Sequence, residues 1–406
     1  MDYRFVSGTM SGGTLNGPDN GPDNGPDNGP DNGPDIGRRA VAPAASALIS
    51  SREGIFDPRD EESSVLGDAP SAEVGAAVGR IWRWDSDVRA DLLVGELAST
   101  VGYLATAGNA KKAGSMTLVT ATSNGKSETI IELFRPSQKV FRDELSNVFQ
   151  YAELRRERAS EIAAQLDNQW IFWSSLLPLR YNRRGATNEL LHAVARFATL
   201  VVMRLKHEFG LFRPSEASPQ VQPMIAVPGH STFPMGHATQ SFAVARTLQR
   251  LMYGPSAQTT DWPNLVTQLY RLAFRIGENR IVAGLHFPVD LKWGAVLGVA
   301  IADHVAKVAG KNNSSAAKSP PPDGWFYGDP DYLRKLTYFD SPPAGSATSS
   351  QSVSAIVNEC WVAAERDWRP HSAFWSTFSN AHEFSPLMQS SAISGGGDVE
   401  NAKPHD

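Results

Sequence analysis

Arg280-Ile281-Val282-Ala283-Gly284-Leu285-His286-Phe287-Pro288-Val289-Asp290 decides how the chain is read. Apolar residues recur at spacings of three and four from Leu265 to Gly284, so a helix should end near Gly284. Pro288 should open the next helix, because proline is tolerated in a first helical turn. Between them Arg280, His286 and Asp290 interrupt an apolar run. Asp290 can fix the tautomer of His286 through one ring nitrogen, leaving the other for chemistry. Two further sites upstream have the same character. Lys206 lies near the end of an apolar helix, Glu189 to Phe209, and after six intervening residues comes Arg213-Pro214. Pro234-Met235-Gly236-His237 opens a third helix, His237 to Met252.

Taken singly, each site has an ordinary structural reading. Lys206 can snorkel at a helix end, where its charge also suits the macrodipole. Arg213-Pro214 can be a surface turn and His237 a helix-start histidine meeting solvent. Arg280 can pair with Glu278 or Asp290, leaving His286 as a core histidine. Together these spacings are expected by chance on the order of once in a thousand chains. They also share a purpose: two arginine forks and a lysine suit the oxygens of a tetrahedral or trigonal-bipyramidal oxyanion. Backbone N–H groups at Gly236 and His237 add a helix N-terminus to the same site. His237 and His286 would then stand on opposite sides of the anion.

Bulk composition removes several competitors. The chain has 406 residues, with 38 Lys+Arg against 43 Asp+Glu. Asn-Gly-Pro-Asp is written five times from Asn16 to Asp35, and without its five aspartates the balance is 38 against 38. No excess of either sign remains to attract nucleic acid or anionic lipid. The single cysteine, Cys360, excludes an intrachain disulfide and a thiol-rich metal site, so a reducing cytoplasm fits. No stretch reaches about 18 consecutive apolar residues, which argues against membrane insertion. Met1 to Thr14 lacks the basic start and apolar run of a signal peptide, although an alternative start would leave secretion open.

The predicted organisation is an all-α body with irregular ends. Residues 1–77 form a low-complexity region, disordered where proline in every fourth position of the repeat stops helix and strand alike. Residues 78–309 form a helical catalytic domain with its motif core at 206–290. Residues 310–388 are an extension on that domain, and 389–406 a flexible tail. Val140 to Gln165 reads as a further helix, Met116 to Leu133 as a short hairpin around Asn124-Gly125, and Ser352 to Arg366 as a helix carrying Cys360. Trp82, Trp84, Trp170 and Trp173 read as core anchors. Gly125-Lys126-Ser127 has the end of a phosphate loop but Thr120 stands where its first glycine belongs, and Asp329-Pro330-Asp331 reads as a turn. His371 and His382 fall in a region too irregular to place.

Lys206 to Pro214, Pro234 to His237 and Arg280 to Asp290 resemble the three signature motifs of the superfamily that unites type 2 phosphatidic acid phosphatases with vanadium-dependent haloperoxidases. The resemblance is strong over about 85 residues, and extends to the flanking helices from Val78 to Ala309. It implies an all-α fold built on a four-helix bundle, with a pocket for phosphate or its structural analogue vanadate. By that resemblance Lys206, Arg213 and Arg280 hold the equatorial oxygens and Gly236 donates its backbone N–H. His286 is the nucleophile on phosphorus or the ligand of vanadium, His237 the acid–base group, and Asp290 the residue that orients His286. Met235 departs from the pattern, standing where a serine usually donates its hydroxyl to the anion; Asn279 is a milder change.

Two chemistries follow from the resemblance. A vanadate-dependent haloperoxidase, oxidising bromide in preference to chloride with hydrogen peroxide, is the first expectation; a soluble phosphomonoesterase working through a phosphohistidine, with no cofactor, is the second. His230 matches a histidine of bromoperoxidase-type enzymes and is the halide-pocket candidate, although it can equally cap its loop. Met203 stands where an aromatic would shape that pocket, which weighs against halide oxidation. A third reading, prompted by Met235 and the N-terminal repeat, is a degenerate anion-binding scaffold. The partners expected are a small anion, peroxide and halide, and a homodimer remains open.

Overall fold

The computed structural model describes residues 78–109, 113–121, 127–167, 169–253, 264–311 and 353–368. A 3-10 turn at Val78–Arg83 leads into α1 (Ser86–Ser99). Three antiparallel strands follow, β1 (Val101–Thr106), β2 (Ser115–Thr120) and β3 (Thr129–Phe134), in the order β1-β2-β3. Then come α2 (Gln138–Ala152), α3 (Arg155–Asp167), α4 (Trp170–Leu176), α5 (Tyr181–Phe209), α6 (Pro214–Ala217), α7 (Gly236–Tyr253), α8 (Asn264–Val282), α9 (Pro288–Val308) and α10 (Ala355–Arg366). The body is mostly helical, as its periodicity predicts.

The segment read as one helix from Val140 to Gln165 is two, because α2 ends at Ala152 and α3 starts at Arg155. The hairpin expected within Met116 to Leu133 exists as β2 and β3, with Met116 opposite Leu133 and Leu118 opposite Ile131. Its turn at Asn124-Gly125 lies outside the described residues, as do the N-terminal repeat, Asp329-Pro330-Asp331, His371 and His382. β1 was not expected; it pairs Val101 with Thr120 and Tyr103 with Leu118, and that tertiary pairing is what makes it a strand.

α7 is the centre of the fold. It packs most extensively on α9, with α8 and α5 on its other sides. Its side chains are buried from Ala238 to Leu251 with the exception of Gln240, and in α9 Val289 through Ala302 are buried with the exception of Lys292. Two glycines of α9 permit the close crossing. A Cβ on Gly294 would lie 2.6 Å from the Met235 carbonyl oxygen, and one on Gly298 would lie 2.3 Å from that of Thr239. Further along, Asp303 of α9 accepts from Arg246 Nε at 2.9 Å and from Arg250 Nε, so buried charges on α7 are paired across the same crossing.

The tryptophans divide. Trp173 is buried, 1 % exposed, and Trp170 stacks on His192 with ring centroids 4.2 Å apart. Trp82 and Trp84 are 38 % and 53 % exposed, so they are not core anchors. Trp82 instead lies under Arg89 and donates its indole N–H to Glu359, using its polar edge at the surface. Cys360 is buried in α10, and burial pushes its thiol up to about 12, so it stays protonated. Among the described residues no helix is long and apolar enough to cross a membrane.

Candidate active site

Each motif is placed by the end of a helix. α5 stops at Gly210, whose φ of 55° lets its N–H reach back to the Lys206 carbonyl. Leu211 then bonds the loop from α6 to α7: its N–H donates to Ser231 Oγ at 2.9 Å and its carbonyl accepts from Thr232 N at 3.1 Å. This turn folds Arg213 back towards Lys206, which accounts for their six-residue separation. The end of α8 is analogous. Gly284 (φ 82°) donates to Ile281 O and Leu285 N to Arg280 O, the paired reversal of a helix closed by a left-handed glycine. Arg280 and His286 are thus separated by one cap.

α9 begins with Pro288, and Phe287 N–H donates to Asp290 Oδ2 at 2.9 Å. That carboxylate has further partners. His286 Nδ1 lies 3.1 Å from it and 3.1 Å from Thr232 Oγ1, and the Thr232 hydroxyl donates to the same oxygen. The proton of His286 is therefore held on Nδ1, and Nε2 carries the lone pair, 3.5 Å from Arg213 Nη1. The second motif is tied to the third through the backbone, since Met235 N–H donates to Asp290 O at 3.0 Å.

The cations are buried and individually fixed. Lys206 Nζ donates to Ser231 O and Thr232 O, both at 2.7 Å. Arg213 donates through Nε to His230 O at 2.9 Å and through Nη1 to Leu285 O at 3.0 Å, with Nη2 3.1 Å from His230 Nδ1. His230 is therefore brought to Arg213 as well as capping its own loop. Arg280, 0 % exposed, donates only through Nη2, to Gln165 Oε1 at 2.9 Å and Ile162 O at 3.2 Å. Its Nε and Nη1 are buried and have no hydrogen-bond partner among the described residues. An ordinary ion pair with Glu278 or Asp290 is not its role: Glu278 pairs with Arg158, and Asp290 Oδ2 is taken by His286, Thr232 and Phe287 while its buried Oδ1 makes no bond to Arg280. Burying unmatched guanidinium N–H groups is costly, so these two nitrogens would be satisfied by an added acceptor.

Electrostatics agree. Burial pushes Arg280 down to about 10. Burial, with the fields of Arg213 and Lys206, holds His286 well below its usual value, so it is a neutral imidazole at pH 7. His237 is held down by burial and then by Arg280, Lys206 and Arg213. Lys206 is itself depressed by burial and by Arg213. Gly236 and His237 begin α7, and the first N–H groups of a helix have no acceptor within it. Three cations, a helix N-terminus and two neutral histidines act on one another here, a field that a small anion would relieve.

The PAP2 superfamily model matches residues 188–314. These residues form a PAP2 superfamily domain. No curated protein matches the chain. The PAP2 domain contains all three motifs, and it supports a phosphatase-type or related activity on phosphate-like anions. Two residues that position the site were not expected from sequence. Thr232 had a signal, as a hydroxyl two residues before Pro234 in the same loop as His230. Gln165 had none, because it lies in α3, 115 residues before Arg280 and outside the PAP2 domain.

Met235 is fully buried. Met235→Ser should tighten phosphate binding by about tenfold, the effect of one hydrogen bond to a charged group. It should also lower the melting temperature, because truncating a buried methionine costs about 2–5 kcal/mol. Phosphate titration and thermal melting of the variant check both; unchanged affinity means that no donor is missing at this position.

Proposed function

We propose that the protein is a phosphatase that transfers the phosphoryl group of a phosphate monoester to His286 and then to water. The observation that carries this reading is the buried Arg280 guanidinium, with Nε and Nη1 unpartnered among the described residues, in the same cluster as a histidine whose Nε2 is the unprotonated nitrogen. Arg280, Arg213, Lys206 and the Gly236 N–H bind the phosphoryl oxygens. Their charge is compensated by the ester, which raises His237 and allows it to carry a proton. The His286 Nε2 lone pair forms the N–P bond as the P–O bond to the alcohol breaks, and His237 gives its proton to the departing oxygen. Asp290 holds the growing positive charge on the ring through Nδ1–H. Water then attacks phosphorus with His237 as base, the N–P bond breaks, and phosphate leaves.

Haloperoxidase chemistry is the second reading, favoured by the contact of His230 with Arg213. The same residues, Lys206, Arg213, Gly236, Arg280 and His286, would hold vanadate, and the unpartnered Nε–H and Nη1–H groups of Arg280 fit that anion as well. Bound vanadate would supply activation of hydrogen peroxide towards halide. It ranks second because a resident cofactor needs dedicated donors, whereas Lys206 and Arg213 give much of their hydrogen-bonding capacity to protein carbonyls and Met235 brings no hydroxyl.

Hydrolysis of p-nitrophenyl phosphate, beside bromination of monochlorodimedone with vanadate and peroxide, separates the two. Hydrolysis without bromination supports the phosphatase, bromination alone reverses the order, and failure of both favours an anion-binding scaffold. The pH profile is a further expectation. Burial pushes Asp290 up to about 6, opposed by its bonds from Thr232 and Phe287. Its carboxylate is lost as pH falls through that value, so turnover should drop on the acid side of about pH 6, and kcat/KM measured from acid to neutral pH reads this limb directly.

A further inference from the structure

The side chain that fixes Arg280 is an uncharged one. Gln165 is 0 % exposed, and its Oε1 accepts from Arg280 Nη2 at 2.9 Å and from Asn279 Nδ2 at 3.0 Å. Its Nε2 donates to Glu161 Oε1 at 3.2 Å, so the amide faces two donors with its oxygen and one acceptor with its nitrogen. Glu161 is the carboxylate whose field reaches Arg280, and it is already engaged by Arg275, with Nε at 3.0 and 3.1 Å and Nη2 at 2.8 Å, and by Asn279 at 2.8 Å. The other acceptor from Arg280 is the Ile162 carbonyl. One nitrogen of the guanidinium, Nη2, is therefore anchored to α3 by two neutral oxygens, while Nε and Nη1 have no partner among the described residues.

Glutamate at position 165 would reach the same donors with the same shape. It would also pair with Arg280 and cancel the charge that an anion needs, in a buried setting where Coulomb terms are large. An amide orients the guanidinium without neutralising it.

We propose that Gln165 is a positioning residue that anchors Nη2 of Arg280 through an uncharged oxygen, so that the positive charge of Arg280 is reserved for the bound anion. The inference rests on the reading of this cluster as an oxyanion site. It extends the site to α3, outside the PAP2 domain, and gives Asn279 a place: its side chain bridges Gln165 and Glu161 and locks the anchor to the Arg275 pair.

The test is titration of the full-length protein with inorganic phosphate, followed by calorimetry, for the wild type, Gln165→Glu and Gln165→Met. Binding by the wild type is the premise; if it binds no phosphate, the oxyanion reading fails and the proposal with it. Given wild-type binding, Gln165→Glu should weaken phosphate by on the order of tenfold or more at pH 8, where the new carboxylate is ionised. The loss should shrink as pH falls and the carboxyl takes a proton, a pH signature that a purely structural defect would not produce. Gln165→Met keeps the volume and removes the acceptor, so it should weaken phosphate by a factor that does not grow with pH. Wild-type affinity in folded Gln165→Glu at pH 8 overturns the proposal. Should that variant not fold, wild-type affinity in Gln165→Met overturns it equally.

Discussion

His286→Ala should reduce turnover at least about a thousandfold while leaving the fold in place, because it removes the atom proposed to bond to phosphorus. The ring is buried, but its polar partners retain others: Asp290 still accepts from Thr232 and from Phe287 N–H. The carboxylate therefore does not become an uncompensated buried charge. Arg280 and Lys206 remain in place to bind phosphate, so affinity for the product should survive the loss of turnover. Steady-state kinetics, together with phosphate titration of the same variant, gives both numbers. Substantial retained activity would remove His286 from the chemistry.

The second large effect lies at the helix crossing. Gly298→Ala places a methyl group 2.3 Å from the Thr239 carbonyl oxygen and 3.0 Å from Ala243 N, so backbone and not a movable side chain must yield. Forcing the helices apart should cost about 3 kcal/mol, only partly offset by the roughly 1 kcal/mol gained when alanine replaces glycine in a helix. Gly95→Ala in α1 is the matched control: a Cβ there meets nothing within 4 Å, and only the helix gain applies. Thermal melting should show Gly298→Ala lowered by several degrees and Gly95→Ala unchanged or raised. Equal melting temperatures would mean that the α7–α9 crossing can relax at little cost.

The two predictions are connected. Gly294, one turn before Gly298, holds α9 against the Met235 carbonyl, and Met235 N–H bonds to Asp290 O. The close crossing is therefore what sets the α7 N-terminus, with Gly236 and His237, beside the turn that carries His286. Motifs separated by about fifty residues in the chain meet because α9 lacks side chains where it touches α7.

Much of this was legible from local chemistry. α7, α8 and α9 follow from apolar spacing, Gly284 and Pro288, and Asp290 could be assigned to His286 because a helix start puts residues four apart on one side. Local patterning was insufficient where a neighbour decides the outcome. The break between α2 and α3 has no proline or glycine to mark it, and β1 is a strand because β2 lies beside it. Trp82 and Trp84 carry the composition of core residues but sit on the surface, since burial depends on what packs against them.

By itself, then, the sequence determined a helical chain with its balanced charge, three motifs and the residue types an oxyanion needs, because helix periodicity, caps and short-range spacing are local properties. The tertiary structure alone decided that Nε and Nη1 of Arg280 are left without partners among the described residues, that Glu278 is taken by Arg158, and that Gln165 supplies a neutral anchor. Hydrogen-bond partners and burial are set by elements more than a hundred residues apart in the chain, and only folding brings them within bonding distance.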